Sequence, residues 1–193
     1  MRHLFVALLA LLCLTSLPAH AAPTQPTPSS MTTTRNPDYQ PDLVSFGVGY
    51  LDFDKSEPKT RSSDYRFEYR FGYSFIGGKE LGFHPFLAFE TTSRDMLYGL
   101  GGFTMDWNFT KHGIFTWSEG AGYLDSGKQR SLGGTLQFRS MAELGYRFDN
   151  DMRVTAEFSH ISDAKLTRWN PGAEIIGLYV HVPTRTLLGG LNP

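Results

Sequence analysis

Cysteine and net charge are both nearly absent from this chain. Its one cysteine, Cys13, lies in the first apolar run, so the chain that remains after removal of that run has no disulfide or thiolate chemistry. The 18 Lys and Arg residues balance 19 Asp and Glu residues, for a net charge of −1. This balance gives no indication of a nucleic-acid partner.

Long hydrophobic runs are also scarce, since the only one spans residues 4–17. It follows Arg2 and His3 and precedes residues 19–21 (Ala-His-Ala), which supply small side chains at the two positions that a signal peptidase recognises. The run is too short for a membrane-spanning helix. We therefore predict a signal peptide at 1–21, with an N-terminal membrane anchor as the less favoured alternative.

The next segment, residues 22–41, is rich in Pro, Thr and Ser and has little apolar content. Such a composition cannot bury enough apolar surface to form a packed core. We predict a flexible periplasmic leader here, and period-two alternation becomes the main signal from residue 42 onward.

Aromatic residues make up 14% of the chain, and many of them alternate with polar ones. In the clearest segment, every second residue is aromatic: Tyr65, Phe67, Tyr69, Phe71, Tyr73 and Phe75. Successive side chains of a strand point to opposite faces, so one face of this strand is aromatic and the other is largely charged.

Eight segments show strand patterns of this kind: 43–53, 64–75, 82–92, 96–109, 113–124, 133–148, 152–162 and 174–183. Strands of about ten residues with a polar second face are typical of transmembrane barrels, and eight strands enclose a lumen that side chains fill. We predict an all-β fold, an eight-stranded antiparallel transmembrane β-barrel at 42–183, followed by a C-terminal tail at 184–193. Most predicted outer connections are longer than the periplasmic turns, but the one near 93–95 is short and does not fit.

Three polar residues share the predicted lipid-facing side of the last two strands. His160 and Ser162 continue the apolar face of the seventh segment, and Glu174 lies in phase with the apolar face of the eighth. Polar groups against hydrocarbon are costly unless they satisfy one another. A Glu–His–Ser chain does so and makes the serine nucleophilic. Each residue alone could instead be an ordinary interface or loop-closing residue.

The segments His160-Ile161-Ser162-Asp163-Ala164 and Asn170-Pro171-Gly172-Ala173-Glu174 resemble the signature of the outer-membrane lipid A 3-O-deacylases of the PagL type. The resemblance extends over the barrel, including 132–148, but only the C-terminal motif is specific. It implies a serine esterase of the bacterial outer membrane that removes the 3-position hydroxyacyl chain of lipid A. Lipopolysaccharide and membrane lipids would be its partners, and it would need no cofactor.

The same resemblance assigns roles to individual residues. Ser162 would be the nucleophile, His160 the base and Glu174 the orienting acid, while Asn170 would contribute to the oxyanion hole. The backbone N–H of Gly172 is a weaker candidate for that hole. The family commonly has Asn where this chain has Asp163, and the chain lacks the terminal aromatic residue that is typical of barrel insertion signals.

Further expectations and alternatives concern the outer loop and the reaction. Lys165 and Arg168 could position the phosphates of lipid A, or they could be solvated loop charges. Histidines at 84, 112 and 181 lack ligand spacing, so no metal site is predicted. A non-catalytic barrel acting in adhesion or envelope integrity, and a phospholipase or palmitoyl transferase barrel, stay as alternatives. Nothing in the sequence sets the oligomeric state.

Overall fold

A computed structural model describes residues 40–55, 60–76 and 80–188 of the chain. The predicted signal peptide lies outside these described residues, as do nearly all of the predicted leader and the last five residues of the predicted tail. In the described ranges, no helix has the length and apolar character that crossing a bilayer requires.

Eight strands and one short helix make up the described chain. They are β1 (Leu43–Leu51), β2 (Ser62–Arg70), β3 (Leu81–Thr92), β4 (Leu97–Asn108), β5 (Gly113–Asp125), β6 (Leu136–Arg147), β7 (Arg153–Ser162), β8 (Ala173–Pro183) and α1 (Thr184–Leu188). Each strand pairs antiparallel with the next, and β8 pairs with β1. The predicted closed eight-stranded barrel is confirmed, and α1 occupies the start of the predicted tail.

The alternation in the sequence separates the two sides of the barrel wall. On β2, Tyr65 and Phe67 are 49% and 45% exposed on the outside, whereas Arg66, Glu68 and Arg70 are buried inside. An aromatic exterior with a charged interior is the arrangement that a lipid-embedded barrel needs. The predicted facing of this strand is therefore confirmed.

Charged side chains fill the lumen and neutralise one another. Arg70 lies at the centre, 2.7 Å from Glu68, 3.0 Å from Glu143 and 3.4 Å from Asp106. Arg153 binds the second oxygen of Asp106 at 2.6 Å. Because breaking a buried pair leaves an uncompensated charge, this network ties opposite sides of the barrel together.

The predicted end of the second strand is wrong by five residues, since β2 ends at Arg70 and not at residue 75. The backbone N–H of Phe71 donates to the carbonyl of Pro85 on β3 (3.0 Å). Pro85 has no N–H with which to complete the pair, so the regular ladder stops there. The other predicted strands agree with the structure to within three residues at each end.

The short connection between β3 and β4 is a tight turn at the outer end of the barrel. The N–H of Thr92 donates to the carbonyl of Met96 (3.2 Å), and Asp95 has a φ of 62°. The following outer loop covers this turn, because the N–H of Lys128 donates to the carbonyl of Arg94 (2.9 Å). The short β3–β4 turn is therefore covered by the longer loop between β5 and β6, which packs on it.

Candidate active site

The three residues of the predicted triad lie together on the outer surface of the barrel. His160 and Ser162 are on β7, Glu174 is on β8, and His160 is paired directly with Glu174 across the two strands. The His160 side chain is 46% exposed and that of Glu174 is 21% exposed. All three lie beside the outer loop formed by residues 163–172.

A hydrogen bond joins two of these residues, His160 Nδ1 and Glu174 Oε1, at 3.1 Å. The other oxygen of Glu174 accepts a hydrogen bond from Lys55 Nζ at 2.8 Å, and Lys55 also contacts Asp54 at 2.8 Å. These two bonds, first to Asp54 and then to Glu174, raise the pKa of Lys55. The carboxylate that faces the histidine is therefore held in place from its other side.

Gly172 lies under the imidazole ring and leaves room for it. A Cβ atom on this residue would lie 2.7 Å from His160 Cε1 and 3.4 Å from Nε2, and the φ of +63° is one that favours glycine. Continuing the β7–β8 register by one residue places Gly172 opposite Ser162. The imidazole ring therefore lies over the residue that is opposite Ser162 in this register.

The Ser162 hydroxyl forms no hydrogen bond with another group in the described part of the chain. The structure thus assembles the His–Glu half of the arrangement and leaves Ser162 two residues away on the same face. Catalytic hydrogen bonds are often long before substrate binds and tighten in the complex. A complete triad would need the Ser162 hydroxyl to contact the imidazole, and both side chains lie on one face of β7.

Arg130 and Asp52, which the sequence did not point to, fix the backbone behind the site. Two nitrogens of Arg130 bind the buried Asp52 carboxylate at 2.6 and 2.7 Å, and Arg130 also donates to the carbonyl of Gly172. The N–H of Asp52 donates to the carbonyl of Glu174 at 2.7 Å. These contacts fix the position of the first residues of β8, and with it the position of the Glu174 side chain on the barrel wall.

Three carboxylates come close together at this point of the barrel rim. Oxygens of Asp52, Asp54 and Glu174 all lie within 4.8 Å of one another. Arg130 pairs with the first of them, and Lys55 pairs with the other two. Two cationic side chains therefore offset two of the three negative charges in this acidic group.

Asp163 organises the outer loop and orients Asn170. Its own N–H donates to Asn170 Oδ1 at 3.2 Å, so the Nδ2 donor of Asn170 points in another direction. The buried Asp163 carboxylate accepts from the N–H of Lys165 (2.8 Å), from both the N–H (3.1 Å) and the hydroxyl of Thr167, and from the N–H of Gly134 (3.4 Å). Asp163, which stands where the resembled family commonly has Asn, therefore stabilises the conformation of the outer loop.

Replacing Asp163 with Ala is expected to open this loop. Losing these part-buried hydrogen bonds to a carboxylate costs about 1–3 kcal/mol, so trypsin cleavage after Lys165 or Arg168 should accelerate roughly 10- to 100-fold. Fragment masses from the folded barrel measure this. Asp163→Asn, which keeps an acceptor oxygen, should show a smaller effect. Equal cleavage rates in all three proteins would contradict the assigned role.

The pH dependence of the same loop follows from the Asp163 carboxyl. Desolvation acts to raise its pKa, but the Thr167 hydroxyl and the surrounding N–H groups outweigh that effect and lower the pKa from its ordinary value of 3.8. A depressed folded-state pKa stabilises the loop above about pH 3.8, and this contribution is lost as the pH falls through the lowered value.

Lys165 and Arg168 lie on the exposed part of this loop and form no ion pair with another residue in the described ranges. Leu166 and Trp169 on the same loop are 64% and 66% exposed. This loop, which follows the outer end of β7, therefore exposes two cations and two apolar side chains.

A second Ser–His–Glu chain lies inside the barrel. Ser45 Oγ is 2.7 Å from His181 Nδ1, and His181 Nε2 is 2.9 Å from Glu143 Oε2. Ser45 and His181 are both 0% exposed. The buried hydroxyl is out of reach of a lipid ester, and Glu143 also binds Arg70, so this chain belongs to the network that fills the lumen.

The chain is similar to proteins of known family and fold. The model of a family described as "Lipid A 3-O-deacylase (PagL)" matches residues 88–183, which include all three residues of the predicted triad. Among curated proteins, no sequence matches this chain significantly. The crystal structure of the outer membrane enzyme PagL superposes with a TM-score of 0.57 at 18% identity, over 73% of this chain and 99% of that one.

A second solved structure, from work on the de novo design of transmembrane β-barrels, is also similar. Its TM-score is 0.50 at 14% identity, over 75% of this chain and 99% of that chain. Identities this low show the shared barrel fold alone, whereas the family model matches the sequence itself. Residues 88–183 of the chain belong to the lipid A 3-O-deacylase (PagL) family, and the protein is a β-barrel of the bacterial outer membrane.

Proposed function

We propose that this protein hydrolyses the ester at the 3-position of lipid A and releases the hydroxyacyl chain, with Ser162 as the nucleophile. The observation that carries the proposal is the His160–Glu174 hydrogen bond on the lipid-facing wall, with Ser162 on the same face. Family membership supports the broader activity, lipid A deacylation. The position of the ester and the serine mechanism are our proposal.

The chemical steps follow from the positions of the side chains. Ser162 Oγ attacks the carbonyl carbon while His160 Nε2 takes its proton, and Glu174 holds the Nδ1–H and stabilises the imidazolium. The C–O bond to the sugar then breaks, and the proton passes to the departing sugar oxygen. Water, deprotonated by the same imidazole, cleaves the acyl-serine ester to give the free hydroxy fatty acid and restores the hydroxyl.

Charge that develops on the carbonyl oxygen needs nearby donors. Asn170 Nδ2 and the backbone N–H of Gly172 are the groups we propose for this role. Asp163 orients the first, because its N–H occupies Asn170 Oδ1, and Arg130 fixes the second through the Gly172 carbonyl. The oxyanion hole would thus be built by the outer loop and the start of β8.

The location suits a substrate that never leaves the membrane. An ester near the lipid headgroup can reach the outer end of the wall directly, and the low-polarity surroundings strengthen each hydrogen bond. Lys165 and Arg168 lie on the loop above the site, where the phosphates of lipid A would meet them. We propose that they bind these phosphates.

Expression in a host that lacks this activity tests the proposed function. Mass spectrometry of extracted lipid A should show the loss of one hydroxyacyl chain, and fragmentation should place the loss at the 3-position. The matching hydroxy fatty acid should appear in the free fatty acid fraction. Intact lipid A together with released phospholipid fatty acids would contradict the proposal and favour a phospholipase barrel.

A further inference from the structure

An open groove lies at the outer end of the β5–β6 hairpin, apart from the residues of the triad. The end of β5 and the loop that follows it form this groove, which has a volume of about 340 Å³. Sites for small molecules in proteins generally have volumes of about 300–1,000 Å³. The side chains that line it include Tyr123, Asp125, Ser126, Ser131 and Thr135.

Most of the groove's lining is polar. The exposed Asp125 carboxylate accepts a hydrogen bond from the N–H of Gly127 through Oδ1 (3.0 Å), and three hydroxyls, those of Ser126, Ser131 and Thr135, line the groove with it. A carboxylate only accepts hydrogen bonds, whereas hydroxyls both donate and accept. This combination suits a ligand that carries several hydroxyl groups.

Tyr123 supplies an aromatic wall to the same groove. It is the third residue from the outer end of β5, and its side chain is 67% exposed. Tyrosine is common where a barrel meets the membrane surface, but here its ring borders a polar groove. A tyrosine ring has an apolar face and a polar tip, which matches a sugar ring with its C–H face and hydroxyl edge.

The charge of the groove selects against anions. Asp125 is the one charged residue among those that line it. The cations of the same loop are engaged elsewhere, since Lys128 pairs with Asp95 and Arg130 pairs with Asp52. The groove therefore disfavours phosphate and favours an uncharged ligand.

The groove lies within reach of a molecule bound at Ser162. Phe138 on β6 is paired with Ser162 on one side and with Ala121 on the other, and Tyr123 is two residues farther out on β5. Because strands are about 4.8 Å apart and rise about 3.4 Å per residue, Tyr123 lies roughly 12 Å from Ser162 along the wall. The next sugar rings of the same substrate can span this distance.

We propose that this groove binds an uncharged sugar ring of the lipopolysaccharide molecule being cleaved, beyond the ring that carries the ester. This inference rests on the proposed function. Asp125 and the three hydroxyls bind the hydroxyl groups of the ring, and Tyr123 packs against its C–H face. The ring is either the second acylated glucosamine of lipid A or a sugar of the attached core, and substrates of increasing length distinguish the two.

The test uses three dephosphorylated substrates with the same 3-linked chain: a single acylated glucosamine, the lipid A disaccharide, and that disaccharide with core sugars. Wild-type kcat/KM should rise roughly 10- to 100-fold, mainly through a lower KM, at the step that adds the bound ring, as expected for a hydrogen bond to a charged group. Tyr123→Ala and Asp125→Ala should each remove most of this rise. Tyr123→Phe should keep most of it, and Tyr65→Ala, at an exposed tyrosine on β2, should keep all of it.

Saturation-transfer NMR with the acyl-free disaccharide and core oligosaccharide gives a readout that does not depend on cleavage. Signals from the sugar protons that disappear in Tyr123→Ala support the groove even if the wild-type protein cleaves none of the lipids, a result that would overturn only the proposed function. An unchanged rise in Tyr123→Ala and Asp125→Ala would overturn the groove's role. So would equal kcat/KM for all three substrates, or an equal loss in Tyr65→Ala.

Discussion

Replacing Ser162 with Ala is expected to lower acyl-chain release by about 10⁴- to 10⁶-fold, because removing the nucleophile of a Ser–His–acid triad leaves only the contribution of binding and the oxyanion hole. Barrel stability should hardly change. The Ser162 side chain is on the outer surface, and surface substitutions generally alter the free energy of unfolding by less than about 0.5 kcal/mol. Release is measured by mass spectrometry of lipid A, and stability by the temperature at which the barrel unfolds on a gel.

Ser45→Ala is the matched control, because the chain contains the same three residue types inside the barrel. This substitution leaves the buried His181 Nδ1 without its 2.7 Å partner, at a cost of about 1–3 kcal/mol. The unfolding temperature should fall while acyl-chain release by the folded protein stays the same. Activity that survives in Ser162→Ala, or disappears in a folded Ser45→Ala protein, would show that the outer site is wrongly assigned.

The sequence was sufficient to predict the barrel, the facing of its strands and the three residues on one wall. Alternation is a local signal, and the apolar phase of β7 continues directly to His160 and Ser162. His160 and Glu174 lie close together because each is near the end of its strand that the loop of residues 163–172 joins. These features depend on neighbours in the chain, which is why they could be derived.

The supports of the site could not be predicted, because they join distant loops. Lys55 and Glu174 are 119 positions apart, and Arg130 and Asp52 are 78 apart. No periodicity connects such pairs until the barrel has closed. The premature end of β2 has a similar cause, since it depends on Pro85 in the neighbouring strand.

Glu119 and Ser140 are an intermediate case. Each interrupts the lipid-facing phase of its strand, so alternation alone marks both as polar residues on the apolar side. What the sequence does not supply is the register of β5 against β6, which pairs one with the other and places them beside His160. Alternation therefore identifies a polar residue on the lipid-facing side of a strand, but its partners are set by the closed barrel.

Glu174→Gln is expected to lower kcat by about 10³- to 10⁴-fold with little change in KM. A neutral amide cannot stabilise the imidazolium that forms on His160 during attack, and an NH₂ group facing Nδ1 would favour the wrong tautomer. The carboxylate, however, also binds Lys55 at 2.8 Å. A loss of activity on its own would therefore not distinguish catalysis from loop anchoring.

Lys55→Met separates these two roles. It removes the ion pair and keeps the 3.1 Å contact between His160 and Glu174, so kcat should fall less than about tenfold, as expected for the loss of a half-exposed pair. Single-turnover measurements on folded protein would give the rate of the chemical step for both variants. Equal losses in the two would mean that Glu174 acts by holding Lys55 and its loop; a loss confined to Glu174→Gln means that the carboxylate acts through the imidazole, which is the relationship that makes Ser162 a nucleophile on a surface facing lipid.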